Sequence, residues 1–313
     1  MSLSTERLAL TAQTSRERAN RAIGVLCGIA VVVLFSGFTL ISRLGFASSL
    51  KLPDIAALRF SIGGLLLLPV FLHYGLSGVR WRDAAALAFL GGLGFALLAY
   101  TGFSLAPASH GAVLLHGTLP LFTFALAQVA SQTKATRGQA IGLATIFVGI
   151  VAMAWDSLTA ANTRALLGDG SLLLASVCWS AYGLLARRLR LNPAHAASIV
   201  AVFSMCVAIP IYLLFPGKAI FLASPQELLL QGIFQGVLIG AVSIFVYTRA
   251  VAALGAVETA LFTAAVPCVT TISAVFLLAE FPSPTAVFGV VVVTLGMGIS
   301  MKASAGPKST QLT

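Results

Sequence analysis

The sequence predicts an all-α membrane protein in which ten transmembrane helices form two inverted five-helix repeats. Only 9% of the 313 residues are charged, 58% are apolar, and the mean hydropathy is +0.99. A typical soluble domain has about a quarter of its residues charged. Apolar segments of about 20 residues, the length that crosses about 30 Å of hydrocarbon, recur along the chain. The third observation is that the second half of the sequence repeats features of the first.

Ten apolar spans alternate with short polar loops. In order they cover Ala22–Ile41, Asp54–His73, Ala84–Leu105, Ala108–Ala130, Gly138–Trp155, Gly168–Ala186, Ala194–Phe215, Glu227–Thr248, Ala256–Ala279 and Pro282–Met301. The uncharged stretch 84–133 is 50 residues long, too long for one crossing. We divide it near Pro107, because proline disfavours helix in the residue before it. Irregular backbone cannot face lipid, so each span is expected to be helical.

The spans leave little chain for a separate soluble domain. We expect a cytoplasmic N-terminal arm at 1–21, a first five-helix repeat at 22–156, a second at 168–302 and a cytoplasmic tail at 303–313. The arm carries four arginines and no small-residue cleavage site follows the first apolar run. This pattern favours an uncleaved first helix over a signal peptide.

The basic residues predict the orientation. If the N-terminus is cytoplasmic, 14 of the 19 Lys and Arg residues fall on the cytoplasmic side, four on the other side, and Arg59 within a span. Such a bias orients helices in a bacterial-type inner membrane, with both termini cytoplasmic here. Trp81 and Trp155 then fall at the two interfaces. The net charge of +10 therefore indicates membrane topology rather than nucleic-acid binding.

Enzyme and cofactor signatures are absent from the sequence. The four cysteines lie inside apolar spans without metal-ligand spacing, which is typical of small buried hydrophobes. The sequence has no nucleotide-binding loop, metal cluster or nucleophile constellation. We therefore expect no cofactor, no metal and no catalytic residue. The lipid bilayer and a small-molecule substrate are the expected partners, and we expect a monomer.

An internal repeat relates the two halves. A shift of 147 positions superposes Tyr100 on Tyr247, and a shift of 144 superposes Ser36 on Ser180. The 147 shift also matches Pro120 with Pro267, Gly142 with Gly289 and Gly149 with Gly296. Since five is odd, the second copy enters the membrane from the opposite side. Inverted repeats of this kind underlie many secondary transporters, although a duplication can also persist only as a scaffold.

The chain resembles the EamA-type branch of the drug/metabolite transporter superfamily over about residues 22–302. The marks are Arg59-Phe60 within "ALRFSIGGLLLLP" and the run from Leu261 to Ile299, which carries Pro267 and Glu280. The resemblance implies ten helices, a central cavity between the halves and export of small metabolites. Among subgroups, the chain is most similar to YddG-type exporters of aromatic and other amino acids. Thr133 stands opposite Glu280, where such repeats often carry an acid.

Seven side chains inside the spans are candidates for the substrate site. The polar ones lie near mid-depth and the aromatic ones far from either interface: Ser36, His116, Ser243, Thr263, Phe35, Trp179 and Tyr182. Polar groups in hydrocarbon need a partner or a cavity. The alternatives are that Ser and Thr bond to helix backbone, that His116 donates to a carbonyl freed by Pro120, and that the aromatic rings are ordinary helix packing.

The remaining candidates concern motion and helix ends. Tyr100 and Tyr247 are predicted as reciprocal gates, with interfacial-belt tyrosines as the alternative. Pro120 and Pro267 lie mid-span and are candidate hinges, or static kinks. We assign structural roles to three charged residues: Arg59, Glu258 and Glu280. Glu258 suits the first turn of helix nine, where an acid complements the helix dipole.

These observations predict a secondary, alternating-access exporter of small metabolites, with amino acids including aromatic ones as the leading substrates. Efflux of lipophilic drugs or cations is an alternative, but a buried carboxylate that would neutralise such cargo is missing from the spans. A non-transporting scaffold is the other alternative.

Overall fold

The computed structural model describes residues 2–131, 135–159, 162–254, 259 and 262–304. In this part of the chain the structure is helical, without strands. The helices are α1 (Ser2–Ala47), α2 (Leu52–Tyr74), α3 (Trp81–Gly91 and Leu93–Leu105), α4 (Ala108–Gly111, Ala112–Gly117 and Leu119–Ser131), α5 (Arg137–Thr159), α6 (Thr163–Arg188), α7 (Pro193–Leu214), α8 (Pro225–Gln231, Gly232–Val242 and Ser243–Leu254), α9 (Val266–Leu278) and α10 (Pro284–Ser304).

The fold class predicted from the sequence is confirmed. Within the described ranges, nine helices are long and apolar enough to cross a membrane, and α9 is a shorter apolar helix. The 50-residue uncharged stretch is divided as expected, since α3 ends at Leu105 and α4 begins at Ala108. Many large apolar side chains are exposed, including Phe276 at 82% and Leu72 at 73%. A surface of this kind suits lipid rather than water.

Helix pairing in the bundle follows a pseudo-twofold relation between α1–α5 and α6–α10. The pairs α2 with α7, α4 with α9 and α5 with α10 pack against each other, and each maps onto itself under the repeat. The pair α3 with α6 maps onto α8 with α1, and both pairs are present. The packing therefore fits the inverted repeat that the sequence predicts.

Glycines bring α5 and α10 into close contact at two symmetry-equivalent places. A Cβ built on Gly296 would lie 2.8 Å from the carbonyl oxygen of Gly142, and one built on Gly149 would lie 3.0 Å from that of Gly289. The repeat exchanges one pair for the other. Small residues at such positions let helix backbones approach within the membrane.

Three of the spans are interrupted. Helix α3 breaks at Gly92, where the Ser204 hydroxyl of α7 accepts from the Leu93 N–H and donates to the Ala88 carbonyl. Helices α4 and α8 contain π-helical segments at Ala112–Gly117 and Gly232–Val242. Wider π turns often lie at functional sites.

The candidate hinge prolines stand at the starts of helical segments rather than in helix middles. Pro120 is the second residue of Leu119–Ser131, and Pro267 is the second residue of Val266–Leu278. Proline is tolerated in the first turn, because its missing N–H would have no intrahelical partner there. The two segments begin at positions that are equivalent under the 147-residue shift, so both copies break at the same place.

The bundle has two ends, the Glu280 end and the Arg187 end. The Glu280 end contains the loops after α1, α3, α7 and α9, and the Arg187 end contains the loops after α2 and α6 and the last turn of α8. Glu258, the acid assigned to the first turn of helix nine, lies outside the described residues.

Candidate functional site: a cavity between the two repeats

A cavity of about 610 Å³ lies between the two halves of the bundle. Its walls come from both repeats, and they include Gly63 of α2, Pro120 of α4, Ser180 of α6 and Ser243 of α8. The wall also includes Arg187, which is exposed at the end of α6. The cavity therefore opens toward the Arg187 end. A volume of this size matches typical small-molecule sites.

Aromatic rings lie in and beside the cavity wall. Phe35 stacks on His116 with ring centroids 5.6 Å apart and on Tyr247 at 6.4 Å. Trp179 lies 5.2 Å from Tyr182 and 4.8 Å from Phe95, also measured between ring centroids. These side chains come from α1, α3, α4, α6 and α8. The bundle thus brings together aromatic rings that are far apart in sequence.

Most of the candidate residues from the sequence line this cavity. They are Phe35, His116, Trp179, Tyr182, Ser243, Thr263, Tyr247 and Pro120. Ser36, Tyr100 and Pro267 are not among the lining residues. Ser36 is 2% exposed, with no hydrogen-bond partner for its hydroxyl among the described residues. The exact rotation of α1 places Phe35 rather than Ser36 toward the cavity.

The polar groups of the wall are few. Ser243 donates to the Ile239 carbonyl of its own helix at 2.9 Å, which is the helix-bonding alternative considered above. Thr123 donates to Ser180 at 3.1 Å. His116 is 7% exposed, and its Nδ1 has no partner among the described residues. The imidazole therefore has a ring nitrogen without a partner in a side chain that lines the cavity.

Arg59 lines the cavity as well, although the sequence suggested only a structural role for it. Its side chain is 6% exposed, and its guanidinium carbon lies 5.1 Å from the ring centroid of Phe38. The signal in the sequence was a charge within an apolar span, which is costly unless it faces a cavity or a partner. Sequence reasoning noted this position but did not include it in the site.

A buried hydrogen-bond network closes the bundle beyond Arg59. The Tyr100 hydroxyl donates to Gln235 Oε1 at 3.1 Å, and Gln235 Nε2 donates to the Ser42 hydroxyl at 2.9 Å. All three residues are 0% exposed or nearly so. Gln231 also donates to the Ile41 carbonyl at 2.7 Å. These bonds join α1, α3 and α8 on the side of the cavity toward the Glu280 end.

An ion pair reinforces the same end of the bundle. Arg43 Nη2 lies 2.5 Å from Glu280 Oε1, and Glu280 Oε2 accepts from the Ala108 N–H at 2.8 Å. Arg43 also donates to the carbonyls of Phe103 and Ala106. Glu280 therefore connects the end of α9 to α1 and to the turn between α3 and α4.

A helical membrane bundle with a cavity between two inverted repeats is the architecture of many secondary transporters. The comparison with known families agrees: the EamA-like transporter family matches residues 22–155 and again 166–301. The chain therefore belongs to the EamA-like transporter family, and its multi-pass helical architecture agrees with that family. The resemblance to the EamA-type family that the sequence indicates is confirmed.

Two individual proteins show the same relationship. The "Uncharacterized transporter YyaM" of Bacillus subtilis (strain 168) is 28% identical over 140 residues, which are 42% of this chain and 46% of the relative. The chain thus aligns with about half the length of that relative. A protein crystal structure with 20% identity superposes with a TM-score of 0.59, covering 92% of this chain and all of the other. At that identity the similarity concerns the fold alone.

Proposed function

We propose that the protein is a secondary, alternating-access exporter of small metabolites, and that its substrates are amino acids, including aromatic ones. The observation that carries this proposal is the cavity between the repeats. It opens toward one end of the bundle, it is closed at the other, and aromatic rings lie in and beside its wall. A flat apolar side chain would stack on these rings.

The orientation follows from the distribution of basic residues. The Arg187 end holds most of the Lys and Arg side chains, and we assign it to the cytoplasm of a bacterial-type inner membrane. The cavity then faces the cytoplasm, which is the side from which an exporter loads its substrate. The Tyr100–Gln235–Ser42 network and the Arg43–Glu280 pair close the outer side.

Transport in this proposal is an exchange between two packings that the pseudo-twofold axis relates to each other. Because the copies are inverted, each can adopt the conformation of the other and transfer the cavity from one face to the other. Tyr247 lines the cavity toward the Arg187 end, and Tyr100 belongs to the outer closure. We therefore assign Tyr100 to the outer gate and Tyr247 to the inner gate.

The charge of the cavity disfavours the alternative of lipophilic cations. The described wall contains the cations Arg59 and Arg187 and no carboxylate. A cationic drug would meet repulsion there rather than a counter-ion.

The test is counterflow of radiolabelled phenylalanine into proteoliposomes preloaded with unlabelled amino acids, with and without a pH gradient. We expect saturable counterflow that Trp179→Ala reduces about fivefold, since a stacked ring contributes on the order of 1 kcal/mol. Trp155→Ala is the matched control, because Trp155 is 61% exposed on the outer surface of the bundle. Absence of counterflow for every amino acid would remove the proposed substrate class. Strict dependence on the gradient would assign the proton to His116.

A further inference from the structure

Arg59 is a buried cation at the closed end of the cavity. Its guanidinium lies over the rings of Phe38 and Phe60, 5.1 and 5.8 Å from their centroids, and beside the Tyr100 hydroxyl. The side chain is 6% exposed, yet it contributes to the cavity wall. Its Nη1 is buried and has no hydrogen-bond partner among the described residues.

Five acids of the described spans are engaged elsewhere. Asp83 forms an ion pair with Arg80, and Glu280 forms one with Arg43. Asp54 accepts hydrogen bonds from Tyr212 and Ala219, and Glu227 accepts them from Ser49 and Ser224. Asp169 contacts His110 and accepts from Ser157. Within the part of the chain that the structure describes, Arg59 thus has no carboxylate partner. A desolvated charge without a counter-ion is unfavourable. The unused donor and the adjoining cavity together indicate that the missing anion comes from outside the protein.

We propose that Arg59 binds the carboxylate of the transported molecule. This inference rests on the proposed function, and it deepens that function by naming the substrate class as small molecules with a carboxylate group. A guanidinium presents its N–H donors in the plane of the group, and a carboxylate accepts two of them side by side. The rings of Phe38 and Phe60 stabilise the cation by cation–π contact. Nη1, which has no partner among the described residues, remains as a donor for the ligand.

The position of Arg59 also orients the ligand. The carboxylate would lie at the deep end of the cavity, and the rest of the molecule would extend along the wall that contains Phe35 and Trp179. An aromatic amino acid meets both requirements, since it has an anionic group at one end and a ring at the other. A neutral ester or amide of the same molecule keeps the ring but lacks the anion.

The test is a binding measurement on the full chain purified in detergent, which does not require transport. Isothermal titration compares four probes of similar size: phenylalanine, 3-phenylpropionate, phenylalaninamide and 2-phenylethylamine. We expect the two carboxylates to bind at least about tenfold more tightly than the two compounds without one, the usual scale for a lost hydrogen bond to a charged group. Equal affinity for all four probes would overturn the assignment.

Two substitutions and a control locate the effect at Arg59. Arg59→Gln should remove the preference for carboxylates, and Arg59→Lys should keep part of it, because lysine retains the charge and loses the planar fork. Arg82→Gln is the matched control, since Arg82 is an exposed arginine at the start of α3 and does not line the cavity. Carboxylate preference that persists in a folded Arg59→Gln protein would also overturn the proposal. If that variant does not fold, the probe series on the unmodified protein still decides the question.

The two proposals fail in different ways. Carboxylate binding that depends on Arg59, combined with no counterflow in proteoliposomes, would contradict transport of these compounds and keep the Arg59 site. Counterflow of amino acids, combined with equal binding of amide and carboxylate probes, would keep the transporter and remove Arg59 from substrate recognition. No binding of either carboxylate would reject the site.

Discussion

Single charged residues in this protein have roles that depend on how many partners they meet. Arg43 and Glu280 join three segments of chain through one ion pair and several backbone groups, and their side chains are 22% and 25% exposed. Arg80 and Asp83 also form an ion pair, but within one turn and with Arg80 80% exposed. Partly buried, multiply bonded charges stabilise a fold more than exposed pairs do.

We therefore predict that Glu280→Gln lowers the free energy of unfolding by about 1–2 kcal/mol, between the values for exposed pairs and for buried charge-assisted bonds. Thermal unfolding in detergent measures this change. Asp83→Asn is the control and should leave the unfolding temperature close to that of the unmodified protein. Equal effects of the two substitutions would contradict the structural role given to Glu280.

Tyr100 is a second residue with a buried side-chain partner, since its hydroxyl donates to Gln235 Oε1. Replacing it by phenylalanine leaves the Gln235 amide oxygen without its donor in a buried place, at a cost of about 1–3 kcal/mol to the conformation that is closed at the Glu280 end. We expect Tyr100→Phe and Tyr100→Ala to change counterflow or leakage in proteoliposomes. We expect Tyr247→Ala to change them as well, through the proposed gate at the Arg187 end. Tyr74→Phe, away from the cavity wall, is the control. Transport at the unmodified rate by both alanine variants would end the gate assignment.

At the scale of helices, glycine positions determine how closely elements approach. Along α10, Gly296 faces the backbone of α5, whereas a Cβ on Gly298 would meet nothing within 4 Å. The two positions differ by two residues and therefore lie on different faces of the helix. The α5–α10 contact is one of the pairs that the repeat maps onto itself, so its geometry affects both halves equally.

The corresponding prediction compares two alanines on one helix. Gly296→Ala should destabilise the protein by about 1–3 kcal/mol, because the new Cβ would lie 2.8 Å from backbone atoms of Gly142 and Ile146. Gly298→Ala should not destabilise it, since alanine favours helix over glycine. Unfolding by SDS titration compares the two variants. A loss of stability at Gly298 as large as at Gly296 would argue against close packing as the cause.

At the scale of the whole molecule, the inverted repeat decides topology and mechanism together. The pairing of α3 with α6 and of α8 with α1 requires the two halves to pack across the pseudo-twofold axis. The start of α1 and the start of α6 then lie at opposite ends of the bundle. The export that we propose requires both copies to exchange conformations.

Impermeant maleimide labelling of single cysteines tests this topology in spheroplasts. Starting from a variant without Cys27, Cys178, Cys206 and Cys268, we expect Arg164→Cys to react from outside and Arg18→Cys to react only after lysis. Both positions are exposed, so accessibility depends on the compartment. Reaction of both cysteines from the same side would exclude the inverted repeat and remove the main support for alternating access.

Several details show which features could be predicted from sequence. The division of the long apolar stretch at Pro107 could be predicted, because proline acts on the residue beside it. The placement of Ser36 in the substrate site could not be decided, because adjacent residues on a helix differ by about 100° in direction and only packing fixes the rotation. The sequence shows Arg59 as a charge within an apolar span. That Arg59 has no carboxylate partner among the described residues could not be predicted, because it depends on where the acids lie in the tertiary structure.

The sequence by itself determined that the protein is helical, spans a membrane about ten times and consists of two related halves, because hydropathy, helix breaking and duplication are properties of local sequence. The tertiary structure decided which of the buried polar and aromatic side chains meet in one cavity, that Arg59 belongs to it, and which end is closed. These features arise from contacts between helices distant in sequence, and their energies depend on rotation and close packing that no local pattern specifies.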